Sequence, residues 1–153
     1  MEPEFADESR ENEYRGLTHA FSGEGARLYG GRWNSPGASV VYTSGSRALA
    51  ALESLVHLNS PVIFKYAAIP IAFDDALLEE AAELPADRTD EPPPSATKTI
   101  GDLWGQEARS AVVKLPSVII PREPNYLLNP AHPDFKKIVI GRPEPFSFGA
   151  RLL

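Results

Sequence analysis

Four glycines, two arginines and an aromatic pair crowd the segment Gly23-Glu24-Gly25-Ala26-Arg27-Leu28-Tyr29-Gly30-Gly31-Arg32-Trp33-Asn34. Glycine lets a backbone approach a ligand closely or take positive φ, and an arginine fork presents several coplanar donors to phosphate or carboxylate. The segment therefore suits a planar, anionic ligand. Tyr42 follows Arg32 by ten residues, inside the apolar run 39–43, and Glu53 follows Tyr42 by eleven, inside 48–58. Glu53 is one residue from Leu52, about 100° around a helix, which puts its carboxylate on the flank of an apolar stripe, where it can look into a pocket. Ser117, after Pro116, is a fourth polar residue set in an apolar run. Each has an ordinary reading as well. Arg32 can be a loop arginine paired with a surface acid, Tyr42 a core residue with a wet hydroxyl, Glu53 a solvated helix residue, and Ser117 a turn or bulge residue. His57, one turn beyond Glu53, reads as a packing or locally paired side chain.

Other catalytic patterns fail on position. Gly23-Glu24-Gly25 begins like a dinucleotide fingerprint, but the third glycine would fall on Leu28, and no clear strand precedes it. Gly25 to Gly30 has the opening spacing of a P-loop, yet Gly31-Arg32 stand where Lys and Ser/Thr are required. His19, His57 and His132 form no pair at metal-ligand spacing, so no metal is expected. Ser117 lacks a nucleophile elbow.

The elements that must position these residues follow from local pattern. A first strand is expected at about 38–43. Ser44-Gly45-Ser46 ends it and offers a serine N-cap to a helix over about 46–58, whose core face carries Leu49, Leu52 and Val56 with Leu55 at the edge. A second strand runs from Pro61 to Ile71, with Pro70 restricting it to an edge or an end. Asp74-Asp75 cap a short helix to about Leu84. The proline-rich stretch 86–98 reads as a surface loop or lid, followed by a helix at about 99–108 carrying Trp104. Residues 111–120 read as a central strand interrupted at Pro116, a break that re-aims Ser117. Late strands at 136–140 and 145–152 complete an α+β domain, a single mixed α/β unit with a twisted sheet core and flanking helices.

Composition bounds the function. At 153 residues and 42% hydrophobic, the chain has the size of one domain. Residues 1–13 hold six acids against one arginine and read as an acidic, flexible tail. A net charge of −6 argues against a direct nucleic-acid surface, which needs concentrated basic charge. The absence of cysteine rules out a disulfide scaffold and fits a reducing cytosol, so a cytoplasmic location is expected. The acidic N-terminus does not read as a signal peptide, and the longest apolar run, Tyr66 to Phe73, is far short of the roughly 20 residues that span a bilayer.

The order of glycine loop with arginine, strand tyrosine and helix glutamate resembles the RES domain family, named for an arginine, a glutamate and a serine. The matching positions are Arg32 in Gly-Gly-Arg-Trp-Asn, Glu53 in Leu-Glu-Ser-Leu and Ser117 in Leu-Pro-Ser-Val-Ile-Ile-Pro. The stretch Glu123 to Phe135 is similar to the family's C-terminal region, so the resemblance covers residues 14–153. One departure is Gly149, where the pattern has an acidic residue before the arginine.

The resemblance implies the toxin half of a bacterial toxin–antitoxin pair, with a fold similar to ADP-ribosyltransferase toxins and an activity that degrades NAD. NAD is then substrate rather than cofactor, with inorganic phosphate as a candidate co-substrate. Catalytic roles fall to Arg32, Tyr42 and Glu53, and substrate binding to Arg15, Arg32, Tyr42 and Ser117. Arg32 suits pyrophosphate or phosphate, Tyr42 the nicotinamide ribose, Glu53 the developing sugar cation, and Ser117 a positioning hydrogen bond. The acceptor stays open between water, phosphate and a protein. A module of another class, binding nucleotide or antitoxin without catalysis, is the remaining alternative. The implied partner is an Xre-type helix-turn-helix antitoxin that occludes the active site and supplies DNA contact, with room for a homodimer inside the hetero-oligomer.

Overall fold

Val112 and Val113 are adjacent in sequence and both almost fully buried, yet they belong to two different apolar clusters. Strand side chains alternate between faces, so a sheet covered on both sides buries consecutive residues in opposite cores. The computed structural model describes residues 2–7, 19–56, 66–149 and 151. In chain order they form β1 (Glu2–Asp7), α1 (Glu24–Tyr29), β2 (Val41–Ser44), α2 (Arg47–Leu55), β3 (Tyr66–Ala72), a 3-10 turn (Asp75–Leu77), β4 (Leu78–Glu80), α3 (Ser95–Gln106), β5 (Val112–Pro116), β6 (Pro124–Leu128), a second 3-10 turn (Pro133–Lys137), β7 (Val139–Ile140) and β8 (Glu144–Phe146).

The fold is α+β, and the strands among the described residues lie in two four-stranded sheets. One has the order β2-β6-β5-β4, antiparallel except for the parallel pair β4–β5. In the other, β3 is central, with β1 along one side and β7 and β8 sharing the second. Val41, Val112 and Leu128 of the first sheet join Ile69 and Ile71 of the second in one cluster. On the opposite face of the first sheet, Val113, Leu115 and Leu127 pack with Trp33 and with Trp104 of α3. Trp104 is fully buried, and its indole N–H donates to Ser110 Oγ at 2.8 Å, so the ring enters the core without an orphaned donor.

Several expectations change. Glu2–Asp7 form β1, in register from Glu2↔Ile71 to Asp7↔Tyr66, because a sheet edge recruits backbone groups whatever the charge of the side chains. The glycine segment contains α1, which runs between positive-φ glycines at Gly23 and Gly30. Pro70 lies in a central strand. On one side it faces Pro3, and on the other it falls between β7 and β8, where its carbonyl accepts from Gly141 N at 2.7 Å. Asp74 does cap a turn, accepting from Ala76 N at 2.8 Å, but Leu78 goes extended to pair with Val112 instead of continuing a helix.

α3 begins at Ser95, four residues before the expected start, and β5 ends at Pro116. Residues 117–123 turn back to β6, a strand the periodicity did not reveal. The late strands shorten to β7 and β8 because residues 133–137 coil into a turn capped by His132 Nδ1, which accepts from Asp134 N at 3.0 Å. Among the described residues no helix is long and apolar enough to cross a membrane.

Candidate active site

Glu53 is delivered by α2. Ser46 caps this helix as its sequence suggests, accepting from Leu49 N at 3.1 Å, and the buried Leu49 and Ala50 seat it against the core. Glu53 lies four and three residues beyond them, so it ends the buried face by one turn rather than flanking it. Val56, expected on that face, is 55% exposed.

One carboxylate oxygen is fixed from two sides. Ser117 Oγ and Asn125 Nδ2 each donate to Glu53 Oε1 at 2.7 Å. Ser117 Oγ in turn accepts from Ile119 N at 3.1 Å and Ile120 N at 3.0 Å, so two amides leave its single proton only an outward direction. Asn125 is oriented by Ser44, whose hydroxyl donates to Asn125 Oδ1 at 2.8 Å from the opposite position of the β2–β6 ladder. With both bonds on Oε1, Oε2 is left without a hydrogen-bond partner among the described residues.

A cavity of about 940 Å³ opens over this carboxylate, within the size range of small-molecule sites. Its walls include Arg32, Tyr42, Glu53, Lys98 and Asn125. The Tyr42 ring lines it, while the hydroxyl is spent on the glycine loop, donating to Asn34 Oδ1 at 2.6 Å and accepting from Trp33 N at 3.1 Å. Gly31 is required beneath it, because a Cβ there would stand 2.5 Å from Tyr42 Oη. Burial raises the Tyr42 phenol well above its ordinary value, with the Asp102 charge adding to the effect and the Trp33 amide and Arg32 charge opposing it. Tyr42 is therefore neutral and acts as donor and ring, not as a base.

α3 clamps the loop through Thr97, Lys98 and Asp102. Thr97 Oγ1 donates to Arg32 O at 2.7 Å, Lys98 Nζ to Gly31 O at 2.6 Å, and Ser35 N donates to Asp102 Oδ1 at 2.8 Å. Arg32 itself turns onto residues 88–91. Its Nη1 donates to Arg88 O at 3.0 Å and Asp90 O at 2.8 Å, and its Nη2 pairs with the Glu91 carboxylate.

The arrangement offers a fixed carboxylate, a ring face and cations in one cavity, which suits a ligand that carries anionic groups and develops positive charge nearby. The profile of the RES domain matches residues 7–149. The chain belongs to the RES domain family. Curated relatives agree over most of their length. "Prs ADP-ribosylating toxin" of Sphingobium sp. (strain YBL2) is 39% identical over 138 residues, covering 86% of each chain. "Toxin Res" of Yersinia enterocolitica is 34% identical over 142 residues, covering 90% of this chain and 93% of its own. "Toxin Res" of Photorhabdus laumondii is 37% identical over 123 residues, covering 78% and 79%.

Within this RES domain, Arg32, Tyr42 and Glu53 share the cavity wall. Ser117, expected among the substrate-binding residues, is 1% exposed and donates to Glu53 Oε1, and it stands apart from the residues that line the cavity. Arg15 and His57 lie outside the described residues. Asn34, Lys98, Glu91, Asn125 and Ser44 were not singled out from sequence. Asn34 and Asn125 stand within the quoted motifs, but asparagine reads first as a turn residue, and only strand register brings Asn125 opposite Ser44.

Proposed function

We propose that this RES domain is a toxin that breaks the nicotinamide N-glycosidic bond of NAD and passes ADP-ribose to inorganic phosphate or water. The observation that carries this reading is the Glu53 carboxylate, anchored through Oε1 by Ser117 and Asn125 in the cavity that also holds Arg32. The glycosidic C–N bond breaks heterolytically and its electron pair returns to the ring nitrogen, so nicotinamide leaves neutral. A cationic sugar carbon remains, and a phosphate or water oxygen closes on it, water losing a proton. Such a step needs orientation and charge stabilisation more than acid catalysis. A carboxylate about 4 Å from a full charge contributes roughly 4 kcal/mol at an effective dielectric near 20, about a thousandfold in rate.

Arg32 holds the pyrophosphate or the incoming phosphate, the Tyr42 ring faces the nicotinamide ribose, and Ser117 works through Glu53. Arg15 is retained as a second phosphate contact. The partner is an Xre-type helix-turn-helix antitoxin covering the cavity, since a chain of net charge −6 is poorly suited to hold DNA itself.

A second reading keeps the bond cleavage and changes the acceptor to a protein side chain. It is favoured by the similarity to the Sphingobium relative, which is named an ADP-ribosylating toxin. Nicotinamide release from NAD by the purified protein, with and without inorganic phosphate and beside Glu53→Gln, tests the first reading. Release that the substitution reduces about a thousandfold supports cleavage by Glu53, and dependence on phosphate identifies the acceptor. No release from folded, antitoxin-free protein, together with a modified protein in a cell extract, moves the assignment to the transferase.

A further inference from the structure

The Arg32 side chain is only 12% exposed, whereas its partner Glu91 is 71% exposed. The two ends of this ion pair therefore differ in what release would cost. A guanidinium so enclosed needs an acceptor at all times, while a carboxylate standing mostly in water returns to solvent with little penalty. Glu91 also lines the same cavity as Glu53, as does Pro93 beyond it. The remaining contacts of Arg32 go to the carbonyls of Arg88 and Asp90, so one short segment supplies every partner its guanidinium has among the described residues. That segment lies within residues 81–94, which carry no helix or strand.

We propose that Arg32 is an anion site whose resident anion is Glu91 of the same chain, and that a phosphate group of the ligand enters by displacing this carboxylate and lifting residues 88–91. Both anions present oxygens to the same planar fork and compete for it. The two carbonyls on Nη1 keep the guanidinium aimed while the cavity is unliganded. Lys98 stays on the loop side, tied to Gly31 O, and sets the other cation beside the incoming phosphate. Glu91 thereby sets the threshold for ligand entry: an anion with more charge than a carboxylate takes the fork, and a weakly charged one does not. This inference rests on the cavity being the site of a phosphate-bearing ligand.

The test is calorimetric titration of sodium pyrophosphate into Glu53→Gln protein, with and without Glu91→Gln, together with hydrogen exchange at residues 88–91. Removing the competing charge of an exposed residue is expected to tighten pyrophosphate binding about two- to fivefold, and Arg32→Ala to abolish it. Saturating pyrophosphate is expected to speed exchange at 88–91 in protein that retains Glu91. Unchanged or weaker binding in the Glu91→Gln protein, or exchange at 88–91 that slows or stays constant, overturns the proposal. The outcome is separable from the reaction proposed above. Nicotinamide release with pyrophosphate affinity insensitive to Glu91 leaves the reaction and removes the competitor, whereas tightened pyrophosphate binding in a protein that never releases nicotinamide does the reverse.

Discussion

Ser117 and Glu53 stand 64 positions apart and meet in a hydrogen bond of 2.7 Å in which the serine donates to Oε1. The serine is itself held by two backbone amides from the turn that follows it, so the loop between β5 and β6 aims the helix carboxylate. Substitution Ser117→Ala removes, from a side chain that is 1% exposed, both the donor to Glu53 and the acceptor of the Ile119 and Ile120 amides. A loss of about 1–3 kcal/mol in stability is expected from such buried groups. Urea denaturation checks it, and nicotinamide release should fall in protein that is still folded; unchanged release would show that Glu53 does not depend on this hold.

Asn125 makes the second bond to the same oxygen, and its chemistry can be inverted at constant shape. N125D replaces a donor with an acceptor beside Glu53 Oε1, so an attractive contact becomes a repulsive one. Nicotinamide release should fall further in N125D than in Asn125→Ala, which removes the donor without adding a charge. Equal release from the two variants would remove Asn125 from the carboxylate's surroundings.

Gly31 and Tyr42 are matched in space. A Cβ at residue 31 would meet Tyr42 Oη at 2.5 Å and Cζ at 2.9 Å. Gly31→Ala should cost about 1–3 kcal/mol, as other overpacked sites do. Removing the hydroxyl relieves the closer of the two contacts, so Gly31→Ala with Tyr42→Phe should cost less than the sum of the two single changes. Additive stabilities in a double-mutant cycle would place the strain elsewhere.

The raised pKa of Tyr42 has a consequence for stability. Its ordinary value is 10.0, and burial lifts the folded-state value above this. Between the two values the folded chain keeps a proton that the unfolded chain releases, so stability falls as pH rises above about 10. Below that pH the contribution is fully present. Tyr42→Phe should flatten this alkaline decline, measured as denaturation midpoints at a series of pH values from 9 upward. A decline of the same steepness in both proteins would assign it to other groups.

The positions of Arg32, Tyr42 and Glu53 were legible because each sits in a segment whose local pattern is self-sufficient. The Ser46 hydroxyl caps its own helix three residues on, and the spacing of Leu49, Ala50 and Glu53 follows from helical geometry alone. The α+β class followed from the same short-range signals. Strand limits were less legible: β4 and β6 are defined by their partners, and β1 is strand only because β3 offers an edge. A turn signal such as Asp74 marks where a chain bends but does not say what it pairs with next.

By itself the sequence determined the glycine–arginine loop, the capped helix bearing the glutamate, the tyrosine before it and membership of the RES domain family, since these depend on residue order and on contacts three or four positions long. The tertiary structure alone decided that Ser117 and Asn125 converge on one oxygen of Glu53 from 64 and 72 positions away, and that Arg32 closes on residues 56 to 59 positions downstream. The meeting of Asn125 with Glu53 depends on strand register, because Asn125 lies in β6 opposite Ser44. In a period-two structure a shift of one residue would turn Asn125 to the other face, so register is settled by the burial of whole sheets and not by any segment read alone.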